Sequence, residues 1–262
     1  MTTLVSGDRY GSRRKTRIGE LGIDAVGVED TARAFIDYCR SRTRLNAERP
    51  VYSTSVNGHV ISVCARDNKL AKLFAQADLI NADGQALVFL SRLLCRTSLP
   101  ERVATTDLFP AVARRAAFSG ITFYMLGGEA EINRRAVEET QKRFPSLQIV
   151  GARDGYFERS DEAEVIAEIT RLKPDVLWIS LGAPLEQEFV TRNLDALRGV
   201  GVVKTSGGLF DFLALAKRRA PLWVQRAGFE WLFRMALEPR RLFMRYLVTS
   251  PHAVLVMLRA MR

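Results

Sequence analysis

In the second half of this chain the apolar positions fall into short unbroken runs, and three of those runs stop at glycine. Ile121–Leu126 ends at Gly127-Gly128, Asp175–Leu181 at Gly182-Ala183-Pro184, and Val200–Thr205 at Gly207-Gly208. Each is followed by apolar residues at helical spacing, over Glu131–Phe144, Glu186–Leu197 and Phe210–Lys217. Leu147–Val150 predicts a further strand and Glu162–Leu172 a further helix. Unbroken apolar runs suit strands covered on both faces, whereas strands of a half-exposed sheet alternate.

The first half follows a similar rhythm. Arg17–Val28 predicts a strand and turn. Glu29–Arg42 predicts a helix with Ala32, Phe35, Ile36 and Cys39 on one face, and Val51–Val56 a strand. Val60–Ala77 reads as one helix, Asp78–Asn81 as a short buried strand ending at Asp83-Gly84, and Ala86–Leu94 as a third helix. After a loop through Pro100, Asp107–Phe118 predicts a helix with Pro110 in its first turn, where proline is tolerated. The alternation predicts an α/β fold: a Rossmann-like, mostly parallel sheet with helices on both faces.

Charge changes the picture at the C-terminus. The chain has 262 residues, a net charge of +10 and a pI near 9.9. From Leu215 to Arg262 ten Lys/Arg face only Glu230 and Glu238, which supplies +8 of that total. The basic residues are interleaved with Trp223, Phe229, Trp231, Phe233, Phe243 and Tyr246. Arginine among large apolar groups suits a phospholipid surface, a diphosphate or both; a solvated basic face is the plainer reading. Charges interrupt every window of about 20 residues, which excludes a transmembrane span here. Three units follow: a disordered basic tail over 1–17, an α/β core over 18–214, and a basic, aromatic-rich helical appendage over 215–262.

Three dispersed cysteines (Cys39, Cys64, Cys95) and two histidines (His59, His252) offer no ligand spacing, so no metal site is expected. The N-terminus has no apolar signal core, and with unpaired cysteines this predicts a cytosolic protein. Net charge alone would also admit a nucleic-acid-binding protein, but no nucleic-acid module is recognisable. The fold alone would admit a dinucleotide-dependent oxidoreductase, but the G-x-G-x-x-G fingerprint is missing.

Candidate chemistry lies where strands end. Asp83 closes one strand ahead of a helix; it either takes a proton from a substrate hydroxyl or forms an Asx turn or N-cap. Ser55 and Asn57 end another strand and suit hydrogen bonds to a sugar or uracil, or a turn. Arg102 is a candidate bidentate phosphate clamp, just before Thr105-Thr106-Asp107, which suits a helix start. Gly127-Gly128, Gly182 and Gly207-Gly208 either make tight turns or let a ligand approach the backbone, with helix N-termini aimed at its phosphates. Gln187 opens a helix and is a candidate polar contact.

Taken in order, Ser55-Val56-Asn57, Asp83-Gly84, Glu101-Arg102-Val103, Thr106-Asp107-Leu108, Gly182-Ala183-Pro184, Gln187-Glu188, Gly207-Gly208-x-Phe-Asp211, Arg219-Ala220-Pro221, Glu230-Trp231, Arg234, Glu238-Pro239-x-Arg241 and Arg245-Tyr246 form a series. The series closely resembles the WecG/TagA/CpsF family, glycosyltransferase family 26, from about Val51 to Tyr246.

The resemblance implies inverting transfer of a sugar, such as N-acetylmannosamine, its uronate or glucose, from a UDP-sugar to a polyprenyl-diphosphate-linked glycan acceptor. The product would be a precursor of cell-surface polysaccharide or exopolysaccharide. It implies Asp83 as general base, and no metal or cofactor beyond the donor. It further implies a peripheral location on the cytoplasmic face of the membrane, with an anionic lipid surface as partner and self-association left open. Ser55, Asn57, Gln187 and the glycines fall to the donor. Arg102, Arg219, Arg241 and Arg245 fall to the diphosphate and acceptor.

Three positions depart from the family pattern. Its Thr-Gly-Thr-Asp is Ala104-Thr105-Thr106-Asp107 here. Its Pro-x-Gln-Glu is Pro184-Leu185-Glu186-Gln187-Glu188, which leaves open whether Glu186 or Gln187 takes the Gln position. A glycine expected between Phe-Asp and Arg-Ala-Pro is Leu215.

Overall fold

The structure, a computed structural model, describes residues 14–45, 49–226 and 228–259, with the backbone alone at 42–45, 222, 226, 234 and 241–246. It opens with an antiparallel hairpin, β1 (Lys15–Ile18) and β2 (Leu21–Asp24). The six remaining strands are β3 (Val51–Val56), β4 (Leu79–Ala82), β5 (Thr122–Gly127), β6 (Gln148–Arg153), β7 (Val176–Ser180) and β8 (Val202–Thr205). They form one all-parallel sheet in the order β4-β3-β8-β7-β5-β6. The expected α/β architecture with helices on both faces is present.

Side chains alternate between two cores, as the two-residue period of a strand requires. Tyr52, Val56, Ile80, Tyr124, Leu126, Leu177, Ile179 and Val203 point into one core. Helices α2 (Gly58–Cys64), α3 (Asn68–Ala75), α4 (Gln85–Leu94), α7 (Glu162–Leu172) and α8 (Leu185–Asn193) cover it. Val51, Leu79, Phe123, Met125, Val176, Trp178 and Val202 point into the other. It is covered by α1 (Val28–Leu45), α5 (Thr105–Ala117), α6 (Ala130–Arg143) and α9 (Leu209–Leu213). Trp178 centres this second core, with the Phe109 ring edge-on at 4.8 Å and the Phe123 ring at 5.8 Å. Burying each such ring contributes roughly 1.5–3 kcal/mol.

From β3 across to β5, adjacent strands send their following helices to opposite faces. Those after β3 and β7 lie on the first face, and those after β8 and β5 on the second. A crevice therefore opens at the carboxyl edge of β3, β8, β7 and β5, where open α/β sheets bind ligands.

The appendage is α10 (Leu222–Arg226), α11 (Glu230–Leu237) and α12 (Pro239–Arg259). Ala253 and Met257 of α12 join the first core. His252 Nδ1 lies 2.9 Å from Ser62 Oγ, which fixes α12 on α2. No described helix is long and apolar enough to cross a membrane.

Four expectations need correction. Residues 1–13 of the expected 1–17 tail lie outside the described residues, but Lys15–Ile18 is a strand, so the expected boundary falls too late. The helix expected over Val60–Ala77 is two helices, because the Asp67 carboxylate accepts from Lys69 N and Leu70 N and caps a new start. Pro110 sits past the first turn of α5, inside the helix. The helix expected over Phe210–Lys217 ends at Leu213, because Leu215 is left-handed at φ 57° and the amides of Ala216 and Lys217 turn back to Asp211 O.

Candidate active site

The carboxyl edge gathers residues that are far apart in sequence. Because β5, β7 and β8 are neighbours, Gly127-Gly128, Gly182 and Gly207-Gly208 stand side by side along it. Gly127 is required by close approach: at φ 127° a Cβ would sit 2.3 Å from Ser180 O. Gly207 differs, because its left-handed φ of 58° favours glycine while the space beside it is open. Gly155 N donates to Gly128 O at 2.8 Å and brings the loop with the exposed Tyr156 to the same edge. Helices α6 and α8 begin at this edge, and a helix start is where backbone N–H groups and the positive end of the helix dipole can meet a phosphate.

Asp83 lies at the β3–β4 end. Its amide donates to Val56 O at 2.7 Å, and Val103 N donates to Ala82 O at 2.8 Å, which pins the loop from both sides. The N-cap of α4 is Gly84, with no side chain capping it, so Asp83 is not the cap. Its carboxylate is half-buried and attracts two cations, Arg102 and Lys204. Asn57 takes the turn role: it is the N-cap of α2, and its Oδ1 accepts from Val60 N at 3.1 Å.

The arginines meet but are not free. Arg102 donates to Glu230 at 2.5 Å and to Asp107 at 3.1 Å. Arg219 donates to Asp107 at 2.6 Å and to Gln225 at 2.7 Å, and its Nε is buried without a partner. Burial works against the Arg102 charge, but Glu230, Asp83 and Asp107 outweigh it and hold its pKa above the ordinary value. This network joins the core to α11 of the appendage. The backbone of Arg241 and Arg245 lies in α12, but their side chains lie outside the described residues.

Beneath the glycine loops lies a buried polar layer. Gln187, expected to touch the donor, is turned inward: its Nε2 lies 3.3 Å from Thr54 Oγ1 and 3.2 Å from Glu186 Oε1. Glu186 is buried too and accepts from Gly207 N at 2.9 Å, holding that loop from below. Burial drives the Glu186 carboxyl up to about 7, against the pull of Gly207 N–H, Gln187 and Lys204.

Sequence reasoning missed Lys204 altogether. It is fully buried in β8, and its Nζ donates to Ser55 Oγ at 2.7 Å. Burial pulls its pKa down to about 7, against the attraction of Asp83 and Glu186. The available signal was a lysine inside an apolar run, since a central parallel strand has no wet face for it. Among the described residues, no group of three His, Cys, Asp or Glu side chains could hold a metal ion.

The match to known proteins decides the family. Residues 16–262 fit the model of the glycosyl transferase WecG/TagA/CpsF family. The chain belongs to that family. It is a glycosyltransferase, which sets aside the nucleic-acid and dinucleotide alternatives. Among its relatives is the N-acetylglucosaminyldiphosphoundecaprenol N-acetyl-beta-D-mannosaminyltransferase of Bacillus subtilis (strain 168). The two are 28% identical over 214 residues, 82% of either chain. The protein of that name from Bacillus spizizenii (strain ATCC 23059 / NRRL B-14472 / W23) is 26% identical over 82% of this chain and 81% of its own.

Proposed function

We propose that this glycosyltransferase moves one sugar from a UDP-sugar to the sugar of a polyprenyl-diphosphate-linked acceptor, with inversion at the anomeric carbon. The observation that carries the reading is Asp83, half-buried at the carboxyl edge within the field of Arg102 and Lys204. In this mechanism the acceptor hydroxyl attacks the anomeric carbon as the bond to UDP breaks. Its proton passes to an Asp83 oxygen late in bond formation, when even a weakly basic carboxylate can accept it. UDP leaves with added negative charge on its diphosphate. The N-termini of α6 and α8 and the arginines near Asp107 would meet that charge.

The names of these relatives make N-acetylmannosamine the first donor sugar to test and diphospholipid-linked N-acetylglucosamine the first acceptor. The appendage supports a peripheral seat on anionic lipid. Trp223, Phe229, Trp231, Leu237, Leu255 and Leu258 are exposed along it, among basic residues. Apolar side chains that enter the acyl boundary, with arginines at the headgroups, bind such surfaces without crossing them.

The direct test is incubation with short-chain polyprenyl-diphosphate sugars and a panel of UDP-sugars, read by mass spectrometry. A mass gain of one sugar residue, with UDP released, is expected. No gain with any donor, on an acceptor that a relative does extend, would refute the reading.

A further inference from the structure

Lys204 has a position that packing does not explain. In the sheet register it lies opposite Ser53 of β3 and Trp178 of β7, at the centre of the molecule. Its side chain runs toward the carboxyl edge and meets Ser55, two residues beyond its register partner. An apolar residue would fill that space with no charge to desolvate. An ammonium only donates, so Ser55 Oγ is the acceptor in this bond. The single Ser55 O–H is then left to donate elsewhere. Ser55 pairs with Asn81, and Asp83 follows two residues later, so the three groups share one corner of the sheet.

We propose that Lys204 is a positioning residue for Asp83: its ammonium, braced on Ser55, keeps the neighbouring carboxylate ionised and ready to accept the acceptor's proton. This rests on Asp83 being the base of the proposed transfer. Lys204 takes no proton in the reaction; its charge acts through space. The charged groups acting on Lys204 are Asp83, in the loop before α4, and Glu186 of α8; Arg102 also acts on Asp83. Within this set Lys204 changes charge near neutral pH, while Arg102 keeps its charge throughout.

The test reads Asp83 directly. Carbon-13 carboxyl NMR, assigned with Asp83→Asn, follows its titration in the wild type and in Lys204→Met. Without the ammonium the Asp83 midpoint should rise by about one pH unit or more, the scale of losing a close opposite charge. The acid limb of the transfer rate should move up with it, and Lys204→Arg should restore both. A purely structural lysine would scale the rate and leave the limb in place. In the wild type itself, the Asp83 carbon should show a second, smaller inflection where Lys204 loses its proton, a readout that needs no variant. An unchanged Asp83 midpoint in folded Lys204→Met, or a wild-type curve lacking that inflection, would overturn the proposal. If no acceptor is extended by the wild type, the proposed transfer fails, while the NMR titration still decides the Lys204–Asp83 coupling.

Discussion

Arg102 and Glu230 form a 2.5 Å ion pair across the boundary between the α/β core and the appendage. Both side chains are largely buried, and Asp107 and Arg219 extend the pair into a four-residue network. The appendage is thus held at the crevice by charge as well as by the packing of α12. Any anionic ligand that recruits Arg102 or Arg219 must compete with Asp107 and Glu230.

The strength of that link is measurable. Glu230→Ala should lower stability by about 2 kcal/mol, less than the roughly 3–5 kcal/mol of breaking an isolated buried pair, because Asp107 still holds Arg102. In a urea-unfolding double-mutant cycle, Arg102→Ala and Glu230→Ala should couple by about 1–3 kcal/mol. Additive single effects would mean that the pair does not hold the appendage.

Asp83→Asn should reduce sugar transfer by about 10²–10⁴, the usual contribution of a positioned acid or base. UDP affinity, measured by calorimetry, should change little. Undiminished turnover would remove Asp83 as the base, and a lost UDP complex would recast it as a binding group.

Leu215 carries a φ of 57° and is exposed, so its side chain gains little by burial and strains the backbone. Leu215→Gly should stabilise the protein by about 0.5–1 kcal/mol, the relief from left-handed strain exceeding the added freedom of the unfolded chain. A lowered melting temperature would contradict this account.

Exposed apolar residues of the appendage should govern lipid binding. Replacing Trp231 and Leu258 together by serine should reduce co-sedimentation with anionic vesicles several-fold, since each large apolar group contributes roughly 1.5–3 kcal/mol when fully buried. Equal binding of wild type and variant would place the lipid contact elsewhere.

Two buried titrations should leave opposite marks on stability. Glu186, raised to about 7 by burial, holds its proton in the fold after the unfolded chain has lost it. Its contribution is therefore present below its ordinary value and is lost as pH rises through about 7. Lys204, lowered to about 7, works the other way: its contribution is present at high pH and lost as pH falls through about 7. Melting curves against pH should show Glu186→Gln flattening the acid slope and Lys204→Met the alkaline slope. Parallel curves for wild type and both variants would contradict both assignments.

Much of the fold was legible because it is local. Val51–Val56 forms the expected strand, the apolar run Ile121–Leu126 becomes β5, and the glycine stops after β5, β7 and β8 mark the carboxyl edge. The break at Asp67 was less visible, since one capping carboxylate interrupts an apolar spacing that continues on either side. Asp83 was named from its place at a strand end, but its freedom from the capping role needed the geometry of Gly84.

By itself the sequence determined what depends on neighbours along the chain: strand and helix periods, the glycines that strands need at their ends, and a basic, aromatic C-terminus. Tertiary structure decided which distant groups share charge. Lys204 and Ser55 are 149 residues apart and Arg102 and Glu230 are 128 apart, yet each pair lies within hydrogen-bond reach. Strand order set the first pair and the docking of the appendage the second. The pairing follows from three-dimensional packing, because Coulomb and hydrogen-bond energies depend on distance and burial, which no local pattern encodes.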